Sequence, residues 1–124
     1  MMPPHEQWLV QARYDLETAH AMLDSGRYLY VLFCCQQAVE KSLKAAIAKR
    51  TSEFPPRLHS LLRLAEVSGL VMAEAQLEFL GMLSSYYTQT RYPEEAETDL
   101  VTQELSREVL RKTREAVLWL ESVM

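Results

Sequence analysis

Apolar residues recur along this chain at three- and four-residue steps, the spacing of helices rather than the alternation of strands. The densest run lies between Tyr28 and Arg50. Set at about 100° per residue, Tyr28, Val31, Leu32, Cys34, Cys35, Ala38, Val39, Leu43, Ala45 and Ala46 cover most of a helical cylinder, more than a single face. Such a helix must be central, with neighbours on nearly every side. Its polar edge is narrow: Gln37, Glu40, Lys41 and Lys44 form one row, flanked by Gln36 and Phe33, as a thin hydrophilic strip expected to face solvent. Glu40 stands one turn ahead of Lys44, the favourable order for an ion pair.

The rest of the chain supplies the neighbours. Trp8, Ala12, Leu16, Ala19 and Leu23 make an apolar stripe on a first helix that begins near Pro4 and runs to about Ser25, where Asp24-Ser25-Gly26 stops it. That short turn folds the central helix back as a helical hairpin. Thr51 to Pro56 breaks the pattern, and a short helix follows from His59 to about Val67, with Leu61, Leu62 and Leu64 inward and Gly69 as its stop. A further helix spans about Met72 to Thr90, with Ala75, Phe79, Met82, Leu83, Tyr86 and Tyr87 on one face, and ends near Arg91 because Tyr92 precedes Pro93. Glu94, Glu95, Glu97 and Asp99 form an acidic linker to a last helix from about Thr102, with Leu105, Val109, Ala116, Val117, Leu120 and Val123 inward and Trp119 at the margin. The fold class is all-α: an up-and-down four-helix bundle with an additional short helix, a single domain over residues 1–124.

Composition narrows this picture. A chain of 124 residues, 48% hydrophobic, has material for one core and buries about two-thirds of its unfolded surface. Adjacent Cys34 and Cys35 point to different sides of one helix, which suits small core residues in a reducing compartment and fits neither a disulfide nor a metal cage. The start of the chain lacks a basic stretch followed by an apolar run, and no apolar run approaches the roughly 20 residues that cross a bilayer. A cytoplasmic protein without membrane contact is expected. A net charge of -4 disfavours coating of a DNA duplex and leaves room for one local basic site.

Candidate chemistry is sparse. His5, His20 and His59 are too scattered for a metal site, and no metal or cofactor is expected. Arg107, Arg111 and Arg114 line the outer side of the last helix, but Glu108 and Glu115 interleave them as on a solvated face. Arg91 is better placed: Tyr87 precedes it by one turn and Tyr92-Pro93 fixes the chain after it, so its guanidinium could anchor a phosphate or instead tie down the acidic linker. Gln37, Glu40, Lys41 and Lys44 are a second candidate, either a ligand site or a polar seam that holds the central helix to His59.

Three segments together resemble the HEPN family, the higher eukaryote and prokaryote nucleotide-binding domain. They are Trp8 to Leu23, Tyr30 to Ala46 with its Gln-Gln-Ala-Val-Glu-Lys-Ser-Leu-Lys-Ala run, and Leu58-His59-Ser60-Leu61 with Arg91-Tyr92-Pro93. The resemblance implies a helical bundle, often a homodimer, working beside a minimal nucleotidyltransferase in a toxin–antitoxin-like pair. It also implies that catalytic relatives are metal-independent ribonucleases, in which an arginine is followed after four to six residues by a histidine. Here Ala96, Glu97 and Thr98 fill those positions after Arg91, and no histidine lies downstream. Arg13 and His20 match the spacing, but they sit about 10 Å apart along the first helix, away from the later helix that carries such sites.

The expectation is therefore a non-catalytic partner protein that binds nucleotide or RNA phosphate through Arg91, Tyr92, Tyr87, Lys41, Lys44, Gln37, Glu40 and His59. A metal-independent endoribonuclease toxin and a purely structural helical adaptor are the alternatives. Trp8, Tyr14, Tyr86 and Tyr92 are more aromatic surface than a lone bundle hides, so the first helix and the Tyr86/Tyr87 neighbourhood are the expected dimer surfaces.

Overall fold

The computed structural model describes residues 1–91 and 101–124, with side chains over the same span except residues 89–91. The Tyr92-Pro93 break and the acidic run from Glu94 to Asp99 lie outside the described residues. Among those described there are five helices and no strand: α1 Pro4–Asp24, α2 Tyr28–Thr51, α3 Leu61–Ser68, α4 Glu74–Arg91 and α5 Gln103–Ser122.

Each boundary has a local cause. Pro4 opens α1, where a missing N–H costs nothing. Its other end closes as predicted: Gly26 takes a left-handed conformation, its N–H donates to the Leu23 carbonyl, and the Arg27 N–H donates to Met22 at 2.8 Å. α2 ends on Ser52, also left-handed at φ 60°, although it carries a side chain. The Ser60 hydroxyl caps α3 by accepting from the Arg63 N–H, so the helix starts after His59 rather than at it. Thr102 caps α5 in the same way, accepting from Leu105. His59 is thereby left on the non-helical segment ahead of α3, where its ring can turn toward α2.

α2 is the axis of the molecule. It touches every other helix, most extensively its hairpin partner α1, while α1 also meets α5 and α3 meets α4. Leu32, Val39 and Leu43 are fully enclosed, together with Val31, Cys35, Leu61, Leu64, Leu83, Val109 and Leu120. Among the described residues α4 and α5 make little backbone contact with each other, and an apolar cleft of about 390 Å³ opens between Phe79 and Leu80 on one side and Ala116 and Trp119 on the other.

The expected inner faces need several corrections. Leu62 is 41% exposed, because the face that α3 buries is the one carrying Leu61, Leu64, Ala65 and Ser68. Among the described side chains of α4 the buried ones are Leu80, Leu83 and Tyr86, whereas Ala75 and Met82 face outward, so the stripe is rotated from the one the apolar residues suggested. On α5, Leu110 and Thr113 join the core and Val123 does not. Tyr86 is buried and offers no dimer surface, while Tyr14 is 68% exposed. The largest change concerns α2: of the polar strip expected to face solvent, Gln36, Glu40 and Lys44 are enclosed, and Gln37 and Lys41 are partly buried.

Both thiols are free and buried. Burial, reinforced by the negative charge of Asp15 and offset by Lys41, pushes the Cys34 thiol up to about 11, and burial pushes Cys35 to about 12 against an ordinary value of 9.0. A thiol is neutral when protonated, so the folded state resists ionisation that the unfolded chain allows. Its stabilising effect is complete below pH 9 and is lost as pH rises through 11 to 12. Alkylation by iodoacetamide at pH 8.5 should be slow in the native protein and fast in urea, with equal rates counting against enclosed thiols. A left-handed Ser costs about 1–2 kcal/mol in backbone strain, less the entropy a glycine would lose, so Ser52→Gly should raise stability by about 0.5–1 kcal/mol in chemical denaturation.

Candidate functional site

Gln36, Glu40 and Lys44 follow one another at four-residue steps, so their side chains rise along one line of α2. They retain only 0%, 3% and 6% exposure. A carboxylate and an ammonium this enclosed are tolerable only if each finds partners, and both do. Glu40 Oε2 accepts from Lys44 Nζ at 3.2 Å, and Oε1 accepts from Gln36 Nε2 at 3.1 Å. Gln36 Nε2 also donates to the His59 carbonyl at 3.3 Å, and its own carbonyl accepts from Gln37 Nε2 at 2.7 Å. His59 Nδ1 stands 3.3 Å from both oxygens of Glu40.

Around this line the other elements close. Trp8 of α1 covers Lys44, whose Nζ lies 5.3 Å from the ring centroid, a cation–π contact inside the protein. Lys41 pairs with Asp15 of α1 at 2.7 Å. From α4, Tyr87 stacks on His59 with centroids 4.9 Å apart and planes 17° from parallel, and Phe33 of α2 stacks behind Tyr87 at 6.2 Å. His59 is therefore held at one face by Tyr87 and at one edge by Glu40. A carboxylate only accepts hydrogen bonds, so Nδ1 carries a hydrogen and Nε2 is the nitrogen turned away from Glu40.

This geometry sorts the residues singled out from sequence. It brings Gln37, Glu40, Lys44, His59 and Tyr87 into one cluster, with Lys41 one helical turn away on a separate pair to α1. It does not leave Lys41 or Lys44 open for a phosphate. Lys44 is enclosed by Trp8 and bound to Glu40, and withdrawing it would strand a buried carboxylate. Arg91 ends α4 one turn beyond Tyr87, and Tyr92 lies outside the described residues. Gln36, Asp15, Trp8 and Phe33 were not read as site residues. The four-residue step from Gln36 to Lys44 was a usable signal for the first. The contacts of Asp15 and Trp8 depend on how α1 registers against α2, which neither helix encodes alone.

Elsewhere the charges are surface pairs. Arg111 bridges Glu108 and Glu115 on the exposed side of α5, and its hydrogen bond and positive charge hold Glu108 below the usual carboxylate range. Arg13 pairs with Glu121, and His20 lies between Asp24 and Arg114, so Arg13 and His20 do not meet. Among the described residues no cluster of three metal-ligating side chains occurs, and no helix is long and apolar enough to cross a membrane.

Glu40→Ala should lower unfolding free energy by about 3–5 kcal/mol, because it leaves the Lys44 ammonium buried without its carboxylate. Glu40→Gln, which keeps hydrogen-bonding capacity, should cost less. Urea denaturation of the two variants checks this, and an unaltered midpoint for Glu40→Ala would mean the seam contributes no stability.

The chain is similar in structure to TT1696 from Thermus thermophilus, with 28% identity, a TM-score of 0.86, and coverage of 99% of this chain and 100% of that one. It is also similar to ST0689, an archaeal HEPN homologue, with 28% identity, a TM-score of 0.77 and 98% of both chains covered. No curated protein matches it. The model of the HEPN domain matches residues 5–123, nearly the whole length. By that match, and with four helices gathered on a central polar-seamed one, the chain belongs to the HEPN domain family.

Proposed function

We propose that this HEPN protein is a binding component that holds a nucleotide or RNA phosphate at the α2–α4 face and works beside a minimal nucleotidyltransferase, without catalysis of its own. One observation carries the reading: the half-exposed His59 ring, fixed by Glu40 and Tyr87, stands where α4 leads within one turn to Arg91. A rigid ring, with a permanently charged arginine one turn further along the helix that braces it, suits a planar, anionic ligand. Homodimerisation through α1 belongs to the same proposal, supported by Val10 and Tyr14, which lie one turn apart and are both exposed.

The same dyad favours one alternative. A carboxylate that orients an imidazole and leaves Nε2 outward is how a proton carrier is prepared, so a metal-independent ribonuclease would find its histidine here rather than after Arg91. The two readings separate in one assay with RNA in EDTA. Binding without cleavage, weakened at least tenfold by Arg91→Ala, is expected. Cleavage lost in both His59→Ala and Arg91→Ala would establish the enzyme instead. Light scattering is expected to give twice the chain mass, and Tyr14→Glu should shift it toward the single chain.

A further inference from the structure

We propose that the open face of His59 is a stacking platform for a nucleobase, purine over pyrimidine, and that Arg57 takes the phosphate of the same mononucleotide. The proposal rests on the nucleotide-binding reading above and specifies which parts of the ligand are held, and by what.

Phe33, Tyr87 and His59 form a ladder of three rings, and His59 is its outer rung. Tyr87 covers one face of the imidazole and Glu40 its Nδ1 edge, yet the side chain remains 55% exposed. The exposed area is then the opposite face and the Nε2 edge. The ring is already immobilised, by the carboxylate at Nδ1 and by Tyr87 on one face, and Gln36 fixes the backbone beneath it by donating to the His59 carbonyl. Stacking a base on it therefore orders little that is not ordered beforehand. Base–aromatic stacking increases with ring area, which favours a purine.

The phosphate has a separate partner. Arg57 is exposed, and among the described residues it has no carboxylate partner, in contrast to Lys41 and Lys44. The Leu58 N–H donates to the Pro56 carbonyl at 2.9 Å, a three-residue turn with Arg57 at its apex. Two residues of backbone span at most about 7 Å, so the guanidinium is rooted within a nucleotide's length of the His59 ring. Phosphate recognition by a planar fork of donors is the use for which arginine is suited.

Calorimetric titration of the full chain with AMP, adenosine and ribose 5-phosphate tests this. AMP should bind at least tenfold tighter than either fragment, a difference of about 1.4 kcal/mol. His59→Ala should weaken AMP about tenfold and leave ribose 5-phosphate unchanged, and Arg57→Ala should reduce AMP to the affinity of adenosine. Because His59→Ala also unhooks Glu40, the wild-type chain gives an independent readout: saturation-transfer NMR should be strongest at the adenine H2 and H8 protons. Equal affinity for AMP and ribose 5-phosphate, or saturation strongest at the ribose, overturns the proposal. If both phosphates bind and only Arg91→Ala removes them, this assignment fails while the nucleotide-binding reading survives. If none of the three probes binds, this assignment fails, and the reading above stands or falls with its own RNA assay.

Discussion

A carboxylate buried to 3% exposure is the constraint on which this architecture turns. Glu40 cannot sit inside the bundle as a bare charge, because desolvation would cost several kcal/mol. Lys44, Gln36 and His59 all converge on it, each from a position that only the folded chain provides. Through those contacts the single glutamate indexes three other parts of the molecule. Trp8 of α1 closes over its lysine, the segment before α3 delivers its histidine, and Tyr87 of α4 braces that histidine from behind. The hydrophobic surfaces of α2 determine that helices gather round it. The polar line determines where along α2 they stop.

That division explains what could be read in advance. The helices, the Gly26 and Gly69 stops and the all-α bundle follow from local rules, periodicity and left-handed closure, that a linear chain displays directly. Rotation about each helix axis was less legible. On α4 nearly every third or fourth residue is apolar in more than one register, so the pattern places Met82 inward and not Leu80, and only packing on α2 and α3 reverses the two. Leu62 illustrates the same ambiguity on a helix of two turns, where three leucines compete for one buried face.

For the candidate site, residue type was informative and environment was not. Gln37, Glu40, Lys41, Lys44 and His59 were identifiable as a polar group on an otherwise apolar helix and the loop after it. The enclosure of Glu40 and Lys44 was invisible, because a narrow hydrophilic strip looks the same whether it faces water or another layer of protein. Burial changes what those residues can do. The lysines become internal counter-ions, and the outward chemistry passes to the histidine ring they help to hold. Arg57 had no signature at all, since a lone arginine after paired prolines reads as ordinary surface.

The gap between α4 and α5 has a consequence for motion. Among the described residues α4 rests on α2 and α3 and has scant support from α5, whereas α1 and α2 are joined by the most extensive helix contact in the molecule. Regions with fewer packed neighbours open at lower free energy and exchange their amide hydrogens sooner. Breathing of the bundle is therefore concentrated in the helix that carries Tyr87 toward Arg91. Each such excursion lifts the brace from His59 while the hairpin beneath keeps its shape.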